Sequence, residues 1–139
     1  MQLNHDVIPG VSLAGIRLND EVNEVIKKLS KHYNVTRNDG VVTVSDGIII
    51  IGYDTDETIY SVMCNSKSGI NYKNKLWAGM SVEDVLKHSK EQVAWGGCVV
   101  VDGINGIGLP LPKEFDDFSH ITDWLSVDYI FEHLSIFRL

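Results

Sequence analysis

Two hydrophobic periods alternate along this chain. Residues 19–32 place Val22, Val25, Ile26 and Leu29 at the spacing of a helix with one buried stripe. Asn19, Asp20 and Glu21 stand at its start and Lys27, Lys28, Lys31 and His32 at its end, so charge complements the helix dipole at both termini. From residue 33 the pattern becomes that of strands. The runs 33–37, 41–44, 48–53 and 58–66 are rich in β-formers, and Asn38-Asp39-Gly40, Ser45-Asp46-Gly47 and residues 54–57 separate them. Such short polar connections favour hairpins, which predicts an antiparallel meander. The unbroken apolar run 48–51 predicts a central strand covered on both faces, whereas 58–66 alternates more clearly.

The same order then recurs. Residues 7–18 form an extended lead-in before the first helix, and a Gly79 turn precedes a second helix over 81–90. Ser81 is placed to cap that helix while Asp84 reaches back, and Val82, Val85 and Leu86 supply its apolar face. Laid on the first helix without gaps, Val82 falls on Val22, Val85 on Val25, Leu86 on Ile26 and Lys87 on Lys27. Runs at 93–95, 98–101 and 104–109, joined by Gly96-Gly97 and Asp102-Gly103, predict a second meander. Pro110 and Pro112 end that pattern. Residues 113–126 are polar and aromatic, with one helical turn about 120–125, and 128–139 predict a last strand. The expected fold is α+β: a single domain over residues 1–139, with a mostly antiparallel sheet against two main helices and a tandem helix-plus-meander repeat.

Composition narrows the partners more than the chemistry. With 12 basic against 19 acidic residues the formal charge is -7 and the pI about 5.0, which argues against direct nucleic-acid binding and suits a basic partner. The first residues show neither the basic nor the apolar region of a secretory signal, and no apolar run approaches a membrane span, so a cytoplasmic protein is expected. Cys64 and Cys98 sit in strand-like apolar contexts without a C-x-x-C pair and read as buried free thiols.

No catalytic constellation stands out. Residues 103–108 run G-x-x-G-x-G with no helix start and no P-loop lysine after them, so their glycines read as turns. Asp116, Asp117, His120, Asp123 and His133 are of metal-ligating type but match no metal spacing, and no metal or other cofactor is expected. No nucleophile elbow or Ser/His/Asp order appears, His88 reads as a solvated helical residue, and the chain is not expected to be an enzyme. The better candidate is the acidic and aromatic stretch 114–132. Glu114, Asp116, Asp117, Asp123, Asp128 and Glu132 occur there without Lys or Arg, interleaved with Phe115, Phe118, Trp124 and Tyr129. Aromatics supply contact area and acids supply steering, a composition suited to binding a positive partner. Equally, the acids suit a solvated face over core aromatics. Asp54, Asp56 and Glu57 form a second acidic turn that adds to the interface reading.

Gly15-Ile16-Arg17-Leu18 ahead of a Val-x-x-Val-Ile helix, Gly79-Met80-Ser81-Val82-Glu83-Asp84-Val85 opening the second, and the late Phe115-Asp116-Asp117-Phe118 together resemble small bacterial immunity proteins. The nearest likeness is to those accompanying contact-dependent growth inhibition toxins. The Gly-Met-Ser-x-Glu-Asp-Val element is also similar to the helix-then-sheet repeat of β-lactamase inhibitor proteins and outer-membrane assembly lipoproteins, although no lipobox cysteine is present. Asn19 stands where the first unit would carry glycine before its helix. The resemblance implies a cytoplasmic inhibitor of a cognate toxin domain, in many such pairs a basic nuclease. It would block the toxin's active site or its access to substrate. The alternative is a small protein-binding adaptor unrelated to toxins. A third class, a metal-dependent hydrolase, would require bound metal. Neither the toxin's substrate nor the oligomeric state follows from the sequence.

Overall fold

The computed structural model describes residues 1–115 and 117–139. Short strands β1 (Val7–Ile8), β2 (Ser12–Leu13) and β3 (Ile16–Arg17) make a small sheet that leads into helix α1 (Val22–Leu29). Strands β4 (Val35–Asn38), β5 (Val41–Val44), β6 (Ile49–Tyr53) and β7 (Ile59–Asn65) follow as a meander. The second half repeats the order, with β8 (Asn71–Tyr72) and β9 (Leu76–Trp77), helix α2 (Val82–His88), then β10 (Gln92–Trp95), β11 (Cys98–Val101), β12 (Ile107–Pro110) and β13 (His133–Phe137).

The two meanders join into one eight-stranded sheet in the order β10-β11-β12-β13-β7-β6-β5-β4. Every adjacent pair is antiparallel, and the last strand of each meander meets the other at the centre, Leu134 opposite Cys64 and Ile136 opposite Val62. A pseudo-two-fold axis between β7 and β13 therefore relates the halves. The equivalence extends to backbone detail at the helix starts. Asn19 and Gly79 both adopt positive φ (72° and 97°), the left-handed conformation that asparagine tolerates best after glycine. Asn19 N–H donates to the Ile59 carbonyl and Val22 N–H to that of Glu57, while Gly79 donates to Phe131 and Val82 to Tyr129. Each helix is thus pinned at its start by the residues that enter the central strand of its own half.

Local capping follows the sequence. The Ser81 hydroxyl accepts from Asp84 N–H and the Asp84 carboxylate accepts from Ser81 N–H, a complete capping box, whereas α1 is capped by the Glu21 carboxylate accepting from Glu24 N–H. Val22, Val25 and Leu29 of α1 and Val82 and Val85 of α2 are buried with Val42, Val44, Ile49, Ile51, Val62, Leu134 and Ile136 in one continuous core. Leu86 departs from the predicted stripe and is 40% exposed, because α2 is short and turns only Val82 and Val85 fully inward.

Three further expectations are corrected. The 48–51 run is covered on one face only: Ile49 and Ile51 are buried, but Ile50 is half-buried between Thr43 and Met63 on the side away from the helices. The third strand of the second meander starts at Ile107 rather than at residue 104, because Gly103 and Gly106, both at positive φ, hold the preceding residues in turns. The last strand starts at His133 rather than at residue 128, since residues 127, 129 and 131 spend their backbone groups on the start of α2.

Candidate functional site

The helices and the small N-terminal sheet line one side of the large sheet, and the strand alternation leaves its other side open. Cross-strand register places Thr36, Asn38, Val41, Thr43, Ile50 and Gly52 on that side in the first half. Ser61, Met63 and Asn65 continue it across β7, His133, Ser135 and Phe137 across β13, and Gly108, Pro110, Cys98, Val100, Val93 and Trp95 across the second half. None of these positions is Asp, Glu, Lys or Arg, in a chain with 12 basic and 19 acidic residues. An uncharged sheet face of aliphatic and small polar side chains, with Met63, Trp95 and Phe137 among them, carries the charge depletion of an interface centre.

Glycine shapes this face. A Cβ on Gly108 would lie 2.7 Å from the Val99 carbonyl oxygen, so only glycine lets β11 come this close to β12. Trp95, on the edge strand, stacks on Phe137 of β13, with centroids 5.3 Å apart and planes 27° from parallel. At Gly52 a Cβ would lie 3.0 Å from the Tyr60 ring, and a bulge between β6 and β7 sets Tyr60 over that bare backbone. Between these aromatics lies a groove of about 530 Å³ walled by Tyr60, Met63, Trp95, Cys98, Pro110 and Phe137. Trp95 is 51% exposed. Cys98 faces this groove and Cys64 the core, so the two buried thiols stand on opposite sides of the sheet. Burial pushes the Cys98 thiol up to about 11, so it is not an activated nucleophile.

The acidic residues singled out in the sequence lie at the ends of the strands and not on the face. Both groups occupy the same place in the repeat, the connection between the third and fourth strands of a meander. In the first half this connection is the tight turn 54–58; in the second it has grown into residues 111–132. Because β7 and β13 are antiparallel, the two connections sit at opposite ends of the central strands, and the structure does not bring Asp54, Asp56 and Glu57 together with residues 114–132. Glu57 bonds to Asn23 of α1, on the helix side of the sheet.

Several of these carboxylates have internal partners. The Arg138 guanidinium, 2.7 Å away, and the Thr58 N–H hold the Asp54 carboxyl at about 2. This pair ties the C-terminal residues to the β6–β7 turn. Glu57 takes part in a polar cluster with Asn23 and Arg37, the latter at 3.5 Å, while Asp56 is exposed. In the long loop, Asp123 accepts from His120 N–H and closes a single 3-10 turn, Ile121–Asp123, and Asp128 accepts from the Ser126 hydroxyl. Glu114 and Asp117 are exposed. Asp116 lies outside the described residues.

The aromatics of the loop divide between anchoring and display. Phe115, Phe118 and Tyr129 pack partly buried against the core, with Ile121 and Leu125 beneath them. Trp124 stacks on Phe115, centroids 6.1 Å apart, yet remains 67% exposed. Long loops held by buried residues while displaying an aromatic ring are favoured binding elements. Among the described residues no group of three or more His, Cys, Asp or Glu is placed to hold a metal ion, and no helix is long and apolar enough to cross a membrane.

A sheet covered by helices on one face is expected, but the side chains that make up the other face were missed in the sequence. Its signal was present in the outward members of each alternating strand, but recognising it requires knowing which strands are neighbours. Comparison with known protein families, curated proteins and solved structures finds no match to this chain.

Proposed function

We propose that this chain is an immunity protein that binds and neutralises a cognate toxin domain, with the open sheet face as the centre of contact and the two acidic connections as its rim. The observation that carries the reading is the absence of Asp, Glu, Lys and Arg from the outward positions of all eight strands, with acids at both strand ends. An apolar, desolvatable centre with a charged periphery is the anatomy of a specific protein interface. The net charge of -7 favours a basic partner, such as a nuclease domain, and the capped-helix motifs shared with immunity proteins point to the same class. Inhibition then needs no chemistry: occupying the toxin's active site or its substrate path suffices.

The division of labour is testable. Replacing Glu114, Asp117 and Asp128 by amides should slow toxin association several-fold and flatten its salt dependence, while leaving dissociation nearly unchanged. Trp95→Ala should act mainly on dissociation, by ten-fold or more. Copurification from the native cell with mass spectrometry identifies the partner. Recovery of no toxin domain, or a Trp95→Ala protein that binds its toxin as the parent does, would remove this reading.

A further inference from the structure

The two ends of the large sheet are equivalent under the pseudo-two-fold, yet they are built differently. β4 and β10 are both edge strands closed by a two-residue turn, Asp39-Gly40 in one and Gly96-Gly97 in the other. In each, the residues flanking the turn pair across the hairpin, Asn38 with Val41 and Trp95 with Cys98. The backbone bonds Ser45 N–H to Asn34 and Asp102 N–H to Glu91 set the phase of both hairpins. It follows that Arg37 in β4 and Ala94 in β10 turn their N–H and C=O groups to the free edge.

Natural sheets guard such edges with charge. The β4 edge is guarded: Arg37 donates to the Tyr53 hydroxyl at 3.0 Å, lies over the Tyr53 ring and pairs with Glu57. At the equivalent place β10 carries Ala94, and the strand Gln92–Trp95 has no charged side chain. Val93 and Trp95, its outward members, are 42% and 51% exposed. At the tip, Gly96 and Gly97 have no heavy atom of the described residues within 4 Å of where a Cβ would stand, so the turn itself is unpacked.

We propose that two copies of the chain associate by antiparallel pairing of β10 with β10 about a two-fold axis at Ala94. The sequence of this strand is self-complementary in that register. Ala94 meets Ala94 and exchanges two backbone bonds, and Val93 of each copy falls opposite Trp95 of the other, an aromatic and β-branched cross-strand pair. Charge favours the same edge. Two chains of net charge -7 repel, and this strand sets no carboxylate against another. In this register Glu91 of one copy falls beside Gly97 of the other. The pairing joins two eight-stranded sheets edge to edge and makes their open faces one surface, whatever those faces bind.

Sedimentation equilibrium of the full chain tests the proposal. The expected mass is twice 15.5 kDa at high concentration, falling toward 15.5 kDa on dilution. Ala94→Arg, which copies the guard of β4 at its equivalent position, should leave a 15.5 kDa species. Hydrogen exchange needs no substitution: protection of the Ala94 amide should rise with protein concentration and that of the Arg37 amide should not. A chain that stays monomeric into the high micromolar range, association that survives Ala94→Arg in a folded protein, or Ala94 exchange independent of concentration would each overturn it.

Discussion

Asp102 shows how one side chain can organise a hairpin from outside it. Its carboxylate accepts from the N–H groups of Lys90 and Glu91, at 2.8 and 2.9 Å, and is paired with Lys75, so it joins the end of α2, the start of β10 and the β8–β9 loop. These contacts, the Lys75 ammonium foremost, hold the carboxyl at about 2. The unfolded chain would titrate near 3.9. A depressed folded value means that the unfolded state binds the proton more tightly, so the contribution is whole above that pH and is lost as pH falls through it toward 2. Asp54 behaves in the same way through Arg138 and Thr58. Asp102→Asn should therefore lower stability by about 1–3 kcal/mol at neutral pH, and the difference from the parent should shrink between about pH 5 and pH 2. Urea titrations at a series of pH values measure both.

At the scale of elements, the two helices differ in what sustains them. α2 has only the residues Val82–His88, too few turns to be stable alone, so its capping box, its packing and its ties to Tyr129 and Phe131 decide whether it forms. Ser81→Ala should cost about 1 kcal/mol and lower the melting temperature by about 3 °C, read by calorimetry. Asp84→Ala should cost a similar amount and add little to Ser81→Ala, because the two act as one unit. The capping box was legible from Ser81 and Asp84 alone, since both its partners lie within four residues. The exposure of Leu86 was not, because it depends on how little of the helix the sheet can cover.

For the whole molecule, the central pairing of β7 with β13 puts both halves in one sheet, and they should unfold as one unit. Core residues of both repeats pack in one cluster, and neither meander has its innermost strand covered without the other. Equilibrium unfolding in urea should follow a single transition with the same midpoint by fluorescence and by far-ultraviolet circular dichroism. Leu29→Ala in the first half should cost about 2–5 kcal/mol and lower amide protection in β12 as well as in β5. Protection that falls only in β5 would show that the halves open independently.

The residues determined the local signals by themselves: the apolar stripes of two helices, the Ser81–Asp84 capping box and the Asp-Gly and Gly-Gly turns all depend on residues a few positions apart. The repeat was legible for the same reason, through Val22 and Val82 and through Val25 and Val85. Tertiary structure alone decided which strands are neighbours, and with that which side chains share the open face. Trp95 and Phe137 are far apart in sequence and meet because strand order and register put both on one side of the sheet. Likewise the acidic turn near residue 55 and the acids beyond residue 113 read as parts of one interface by composition, yet antiparallel pairing at the centre of the sheet sends them to opposite ends. Composition counts charges, but only strand order places them.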